Sequence, residues 1–288
     1  MKIGINTFLF TSPFTNKDVA LFPMFKSWGF DFVEIALENP SDIDAVYIKE
    51  ELEKNGLDCL AICAAMGPDR DLRGTKEQQQ TALSYLKGVM DQMKALGCPV
   101  LAGPLYSSVG RAEQVAKEDY KNQWKTVVAH LKDLSDYAQE RNIVLAIEPL
   151  NRFETDFMNT CEQGLNMIND VNHPALLLHL DSFHMNIEEK HLHTAILKAG
   201  DKLGHFHSCG SDRGTPGNDH TDWTAIFEAL KKINYKGNMA IESFTTDVTV
   251  IAKAAAIWRQ IEKSGNDIAE KGVIFLRSQI AKSADSAT

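Results

Sequence analysis

Four residues stand where apolar runs give out, and a charge in such a place is costly unless something pairs with it. Glu148 follows "NIVLAI", Asp181 follows "ALLLHL", His207 closes "LGHFH" and Glu242 follows "GNMAI". Three carboxylates and one imidazole make an oxygen-rich donor set, better suited to Mn²⁺, Mg²⁺ or Co²⁺ than to a structural zinc. A lone glutamate at a strand end is ordinarily solvated or salt-bridged. Four such arrivals in succession point instead to one shared site. His205 and His207 alternate along their run and are read as facing opposite sides, one of them a satisfied core histidine.

Polar groups gather beside these four. Glu154 follows Glu148 by six residues, with Asn151 and Arg152 between, and His184 follows Asp181 by three. Arg213 sits on "SCGSDRGTPG", a Gly/Pro/Ser/Asp loop of the kind that reaches over a polar substrate. The plain alternative for Arg213 is an exposed loop arginine without a role.

The elements that must position these groups are short β-rich runs alternating with helical patterns. The runs cover 2–8, 31–37, 57–65, 99–106, 142–150, 175–182, 203–210 and 237–243. They are continuously apolar rather than alternating, as parallel strands covered on both faces require. Between them Ala82, Leu83, Leu86, Val89, Met90, Met93 and Leu96 keep a three-four rhythm that stops at Gly97, and Trp124, Val127, Val128, Leu131, Leu134 and Ala138 keep another. Eight units in 288 residues average about 36 residues each, the size of a βα repeat. With no Pro/Gly/Ser-rich linker, the expectation is one domain over 1–288, a (β/α)8 TIM barrel. The count and even spacing favour closure over an open doubly wound sheet. Beyond Ile261 one short extra C-terminal helix is expected, with 282–288 as a frayed tail. In such a barrel, chemistry collects at the carboxyl ends of the strands, where all four residues lie.

Composition narrows the partners. The chain has 30 basic and 39 acidic residues, a net charge of −9 with no basic cluster, which argues against nucleic acid and anionic membranes. Apolar content of 44% and charged content of 24% are those of a soluble globular protein. The five cysteines lack zinc-site spacing, and most lie in or beside apolar runs, so reduced buried thiols are expected. "MKIGINTFLF" lacks the features of a signal peptide, no run reaches membrane-spanning length, and a cytoplasmic location is expected. "GINTF" has a single glycine and no phosphate-cradling pattern, so no organic cofactor is expected.

"EPLNRFE", "LDSFHMNIEE", "GHFH" followed by "DRGTPG", and the terminal "IES" together resemble the ketose 3-epimerases, the D-tagatose/D-allulose 3-epimerase group of the xylose isomerase-like barrels. The resemblance spans nearly the whole chain and is most specific from Glu148 to Glu242. It implies that Glu148, Asp181, His207 and Glu242 bind the metal, with Mn²⁺ expected and Co²⁺ or Mg²⁺ the alternatives. It also implies that Glu148 and Glu242 form the acid/base pair, and that Glu154, His184 and Arg213 hold the oxygens of a small sugar substrate. A homo-oligomer, dimer or tetramer, is implied as well. The chemistry suits those residue types: one glutamate removes the proton at C3 of a ketose, the other returns it from the far face, and the enediolate between is stabilised.

Two positions depart from the family pattern. Asn6 stands where strand one often has a tyrosine, and Val109 in "LYSSVG" stands where a tryptophan often follows strand four. With Phe8, Cys63 and Met66 they would shape the far end of the sugar pocket. The same site could serve an aldose–ketose isomerase or a 3-keto-glycoside epimerase or lyase. A sugar-binding barrel without turnover is a further alternative, as is a phosphate-ester endonuclease. The endonuclease would want more histidines and a basic groove.

Overall fold

The computed structural model describes residues 1–285. Eight strands form a closed barrel: β1 (Ile3–Asn6), β2 (Phe32–Leu37), β3 (Asp58–Ala64), β4 (Val100–Gly103), β5 (Val144–Ile147), β6 (Leu176–Asp181), β7 (Leu203–Ser208) and β8 (Met239–Ile241). Each pairs in parallel with the next, and β8 returns to β1. The apolar runs of the sequence become these strands, trimmed by a few residues at most ends.

The connecting helices owe their ends to local signals. The helix Lys76–Leu96 begins in a capping box between Thr75 and Gln78 and ends at Gly97, whose φ of +75° is open to glycine at little cost. Its buried face is Ala82, Tyr85, Leu86, Val89, Met90, Met93 and Leu96, while Leu83 is only half-buried. The C-terminal helix Gly265–Asp285 includes residues 282–285, expected as part of a frayed tail; 286–288 lie outside the described residues. No helix among the described residues is long and apolar enough to cross a membrane. All five cysteines are free and buried.

One reading of strand parity is corrected. His205 and His207 are two residues apart, and side chains two apart on a strand share a face. Both reach Glu34 of β2, at 2.5 and 2.6 Å, although β8 and β1 separate β7 from β2 around the wall. That contact runs across the lumen, so both imidazoles point inward. The pairing register slips at Val33/Glu34 on β2 and at Leu178/His179 on β6. Irregularities of this kind re-aim side chains, and each lies beside a polar residue that is fully buried.

Candidate active site

The carboxyl ends of β5 to β8 bring the four residues together. Glu148 lies one residue past β5, where its N–H still donates to Gly103 O at 3.0 Å and continues the ladder. Asp181 ends β6 and also caps the helix Ser182–Glu188, its Oδ1 accepting from Phe183 N–H at 2.7 Å. That bond leaves Oδ2 facing the lumen. His207 projects from β7, and Glu242 follows Ile241 of β8. All four are buried, and one donor atom from each lies within 4.8 Å of the others.

Glu34 decides which nitrogen His207 offers. Its Oε1 is 2.6 Å from His207 Nε2, which fixes a proton there and makes Nδ1 the nitrogen that faces the cluster. Nδ1 stands 3.2 Å from Glu242 Oε2 and 3.9 Å from Asp181 Oδ2, yet among the described residues it has no hydrogen-bond partner, and neither does Glu148 Oε1. Two buried polar atoms turned toward one cluster without a hydrogen-bond partner are costly. A divalent cation would satisfy both, so the donor set fits the metal that the sequence suggests.

The protein's own charges separate the two glutamates. Burial, then the charge of Glu242, pushes the Glu148 carboxyl well above its usual range. Burial would raise Glu242 too, but the charges of His207 and Arg213 outweigh it and hold Glu242 low. Burial raises Asp181 against the opposing pull of Arg213. His207 is held well above its ordinary value: burial opposes this, and Glu34 and Glu242 override it.

The surrounding groups are fixed by bonds to one another. Asn151 N–H donates to His184 Nδ1 at 3.1 Å, and burial, then the charge of Arg213, holds His184 well below its ordinary value. The other ring nitrogen, Nε2, lies 3.0 Å from Arg213 Nη2 and 3.7 Å from Glu148 Oε1. Glu154 Oε1 accepts from Asn151 Nδ2 at 2.8 Å. Arg213 is no exposed loop residue. Its guanidinium lies between the rings of Phe183 and Phe244 at 4.4 and 4.8 Å, and reaches Asp181 Oδ2 at 2.6 Å and Glu242 Oε2 at 3.2 Å. Its φ of +68° is unusual for a side chain of this size and marks a held conformation.

The residues expected to shape the far end of the pocket divide. Cys63 Sγ lies 3.7 Å from Glu242 Oε1, beside the cluster. Asn6 is fully buried, with its amide bonded to protein groups. Val109 donates from its N–H to Met66 O and lines a cavity of about 600 Å³ with Arg73, Thr75, Gln78 and Arg111. None of the four clustered residues lines that cavity.

With this geometry in place, the comparisons are informative. A family model described as "Xylose isomerase-like TIM barrel" matches residues 22–279. The chain belongs to that family. It is 34% identical over 281 residues to a probable ketose 3-epimerase of Synechocystis sp., covering 96% of each chain. It is 33% identical over 254 residues to an L-ribulose 3-epimerase of Methylomonas sp., covering 87% of each. The crystal structure of a D-allulose 3-epimerase from Methylomonas sp. in complex with D-allulose superposes with a TM-score of 0.90 at 30% identity, covering 97% of each chain. These relatives are isomerase-class enzymes acting on small sugars.

Three inward-facing residues of this family member escaped the sequence reading. Glu34 is one carboxylate inside "FVEIAL", read as strand and nothing more. His205 was assigned to the wrong side. His179 is fully buried with both ring nitrogens unpartnered, its Nδ1 3.6 Å from Glu148 Oε2. A charged or imidazole residue two or more places before a strand end was the available signal in all three.

Proposed function

We propose that the protein is a divalent-metal-dependent ketose 3-epimerase that inverts C3 of a free ketohexose or ketopentose by removing and returning a proton. The observation that carries this reading is the pair of glutamates from the ends of β5 and β8, drawn with Asp181 and His207 into one buried donor cluster. Relatives named as ketose 3-epimerases support it. Glu148, Asp181, His207 through Nδ1 and Glu242 would hold the cation, Mn²⁺ by preference. When bound, it supplies electrophilic polarisation of the ketone and the neighbouring hydroxyl.

The chain's own residues do the rest. One glutamate takes the C3 proton and the other delivers one to the opposite face, and the reverse reaction exchanges the roles. His184 and Arg213, 3.0 Å apart, would hold the sugar oxygens, and Glu154 would accept from a hydroxyl. Arg213 keeps the carboxylates of Asp181 and Glu242 in register and carries positive charge beside the developing enediolate. Burial of the cluster excludes bulk water. Homo-oligomeric assembly and a cytoplasmic location belong to the same reading.

The test is to strip the protein with chelator, reload it with Mn²⁺, and incubate it with a panel of ketohexoses and ketopentoses without NAD or ATP. Chromatography should show the C3 epimer of at least one sugar. No conversion anywhere on the panel, or conversion only after adding an organic cofactor, would overturn the proposal.

A further inference from the structure

We infer that Asn6 is a positioning residue for Glu242 and makes no contact with the sugar. The inference rests on the epimerase reading for its kinetic consequence, and on geometry alone for its structural one. Asn6 ends β1 and is fully buried. Three of its side chain's four hydrogen-bonding capacities, both N–H donors among them, are used within the protein. Oδ1 accepts from Phe8 N–H at 2.9 Å, and Nδ2 donates to Glu34 Oε1 at 2.7 Å and to Glu242 Oε1 at 3.3 Å. The backbone donor on one side and two carboxylates on the other leave no freedom over which way the amide is turned. Neither donor remains to meet a substrate oxygen, and Oδ1 is turned toward the Phe8 N–H.

The bridge is anchored at its far end. Asn6 and Glu34 are partners in the β1–β2 register, and His205 and His207 hold the Glu34 carboxylate from across the lumen. Asn6 thus joins Glu242 to the group that fixes the His207 tautomer. The two oxygens of Glu242 have separate surroundings. Oε2 faces His207 Nδ1 and Arg213 Nη1, both at 3.2 Å. Among the described residues, Oε1 has only Asn6 Nδ2 and, at 3.7 Å, the Cys63 thiol. A carboxylate that both binds a cation and moves a proton needs one oxygen held for each task. Asn6 sets the direction of the oxygen that faces away from the ligand cluster.

Asn6→Ala removes the bridge, and Asn6→Ser, which leaves a smaller void and keeps a hydroxyl, serves if the alanine variant does not fold. Steady-state kinetics, Mn²⁺ titration by calorimetry and a crystal structure of the variant are compared with the wild type. Losing one hydrogen bond to a charged group should lower kcat by about 10- to 100-fold. KM and Mn²⁺ affinity should stay within about threefold, well short of that loss. The Glu242 carboxylate should occupy a second orientation. A raised KM at unchanged kcat would make Asn6 a sugar contact and overturn the inference. So would a kcat loss fully accounted for by lost Mn²⁺. If the wild type turns over no ketose, the epimerase reading fails, and the crystal structure still decides: a Glu242 carboxylate unmoved in the variant overturns the positioning role.

Discussion

Glu34→Gln should disable the site without touching any of the four clustered donors. The carboxylate accepts from His205 Nε2 at 2.5 Å, His207 Nε2 at 2.6 Å and Asn6 Nδ2 at 2.7 Å. Glutamine offers one acceptor oxygen and one NH₂, so at least one of these buried donors would face a donor. A hydrogen bond to a charged group contributes about 1.5–3 kcal/mol, and an orphaned buried donor costs about 1–3 kcal/mol, giving a net loss of about 3 kcal/mol. At about 2–4 °C per kcal/mol for a chain approaching this size, Tm should fall by roughly 6–12 °C. The imidazole of His207 also loses its reason to keep the proton on Nε2, and Mn²⁺ affinity should drop about 10- to 100-fold, the usual effect of removing the group behind a metal-ligating histidine.

The pH dependence has a definite sign. Burial would raise the Glu34 carboxyl, but the charges of His207 and His205 outweigh it and hold it far below its ordinary value of 4.5. A lowered carboxyl pKa contributes stability above the ordinary value and loses it as pH falls toward the native one. His207, raised, contributes below its ordinary value and loses that contribution only as pH rises through its native one. Both contributions are therefore present near neutrality. The Tm gap between wild type and Glu34→Gln should be full at neutral pH and narrow as pH falls below about 4.5. Scanning calorimetry from acid to neutral pH, with Mn²⁺ titrations at neutral pH, measures both effects. A variant with wild-type Tm and wild-type Mn²⁺ affinity would refute the reasoning.

Three further outcomes follow from the same geometry. Glu148→Gln and Asp181→Asn should each lower Mn²⁺ occupancy in elemental analysis, and full occupancy in both would remove them from the ligand set. Arg213→Lys keeps the charge but loses the planar fork between Phe183 and Phe244, so kcat should fall at least ~10-fold while Mn²⁺ still binds. Wild-type kcat in that variant would deny Arg213 its role. Arg73 is buried, bonds Asp156 at 2.5 Å and the Arg111 carbonyl at 3.0 Å, and so ties together the loops that carry Val109 and Glu154. Arg73→Met should destabilise by about 3–5 kcal/mol in denaturant unfolding, as breaking a buried ion pair does, and a loss under 1 kcal/mol would contradict it.

The strand ends were legible because a charge after an apolar run is conspicuous, and eight evenly spaced runs leave few topologies other than a closed barrel. Glu148, Asp181, His207 and Glu242 stand out for that reason, and the structure brings them together. Residues inside a strand were not legible in the same way. A glutamate at the third place of "FVEIAL" carries no mark of which face it occupies when both faces are apolar, and the slip in register at Val33/Glu34 removes what parity could offer. His205 shows the converse: two residues apart on a strand means one face, so parity places it inward beside His207. Arg213 needed the third dimension. Its loop reads as solvent-exposed, and only the rings of Phe183 and Phe244 show that it is enclosed.

The central claim is proton transfer at C3 by two glutamates on opposite sides of the sugar. The most direct measurement is turnover of an accepted ketose by Mn²⁺-loaded protein in D₂O, read by NMR or mass spectrometry of the separated epimer. The account predicts one deuterium at C3 of the product, and a Mn²⁺-loaded Glu242→Gln variant at least ~10²-fold slower, the usual contribution of a positioned acid/base. An epimer formed without solvent deuterium, or a metal-loaded Glu242→Gln variant at full speed, would contradict it.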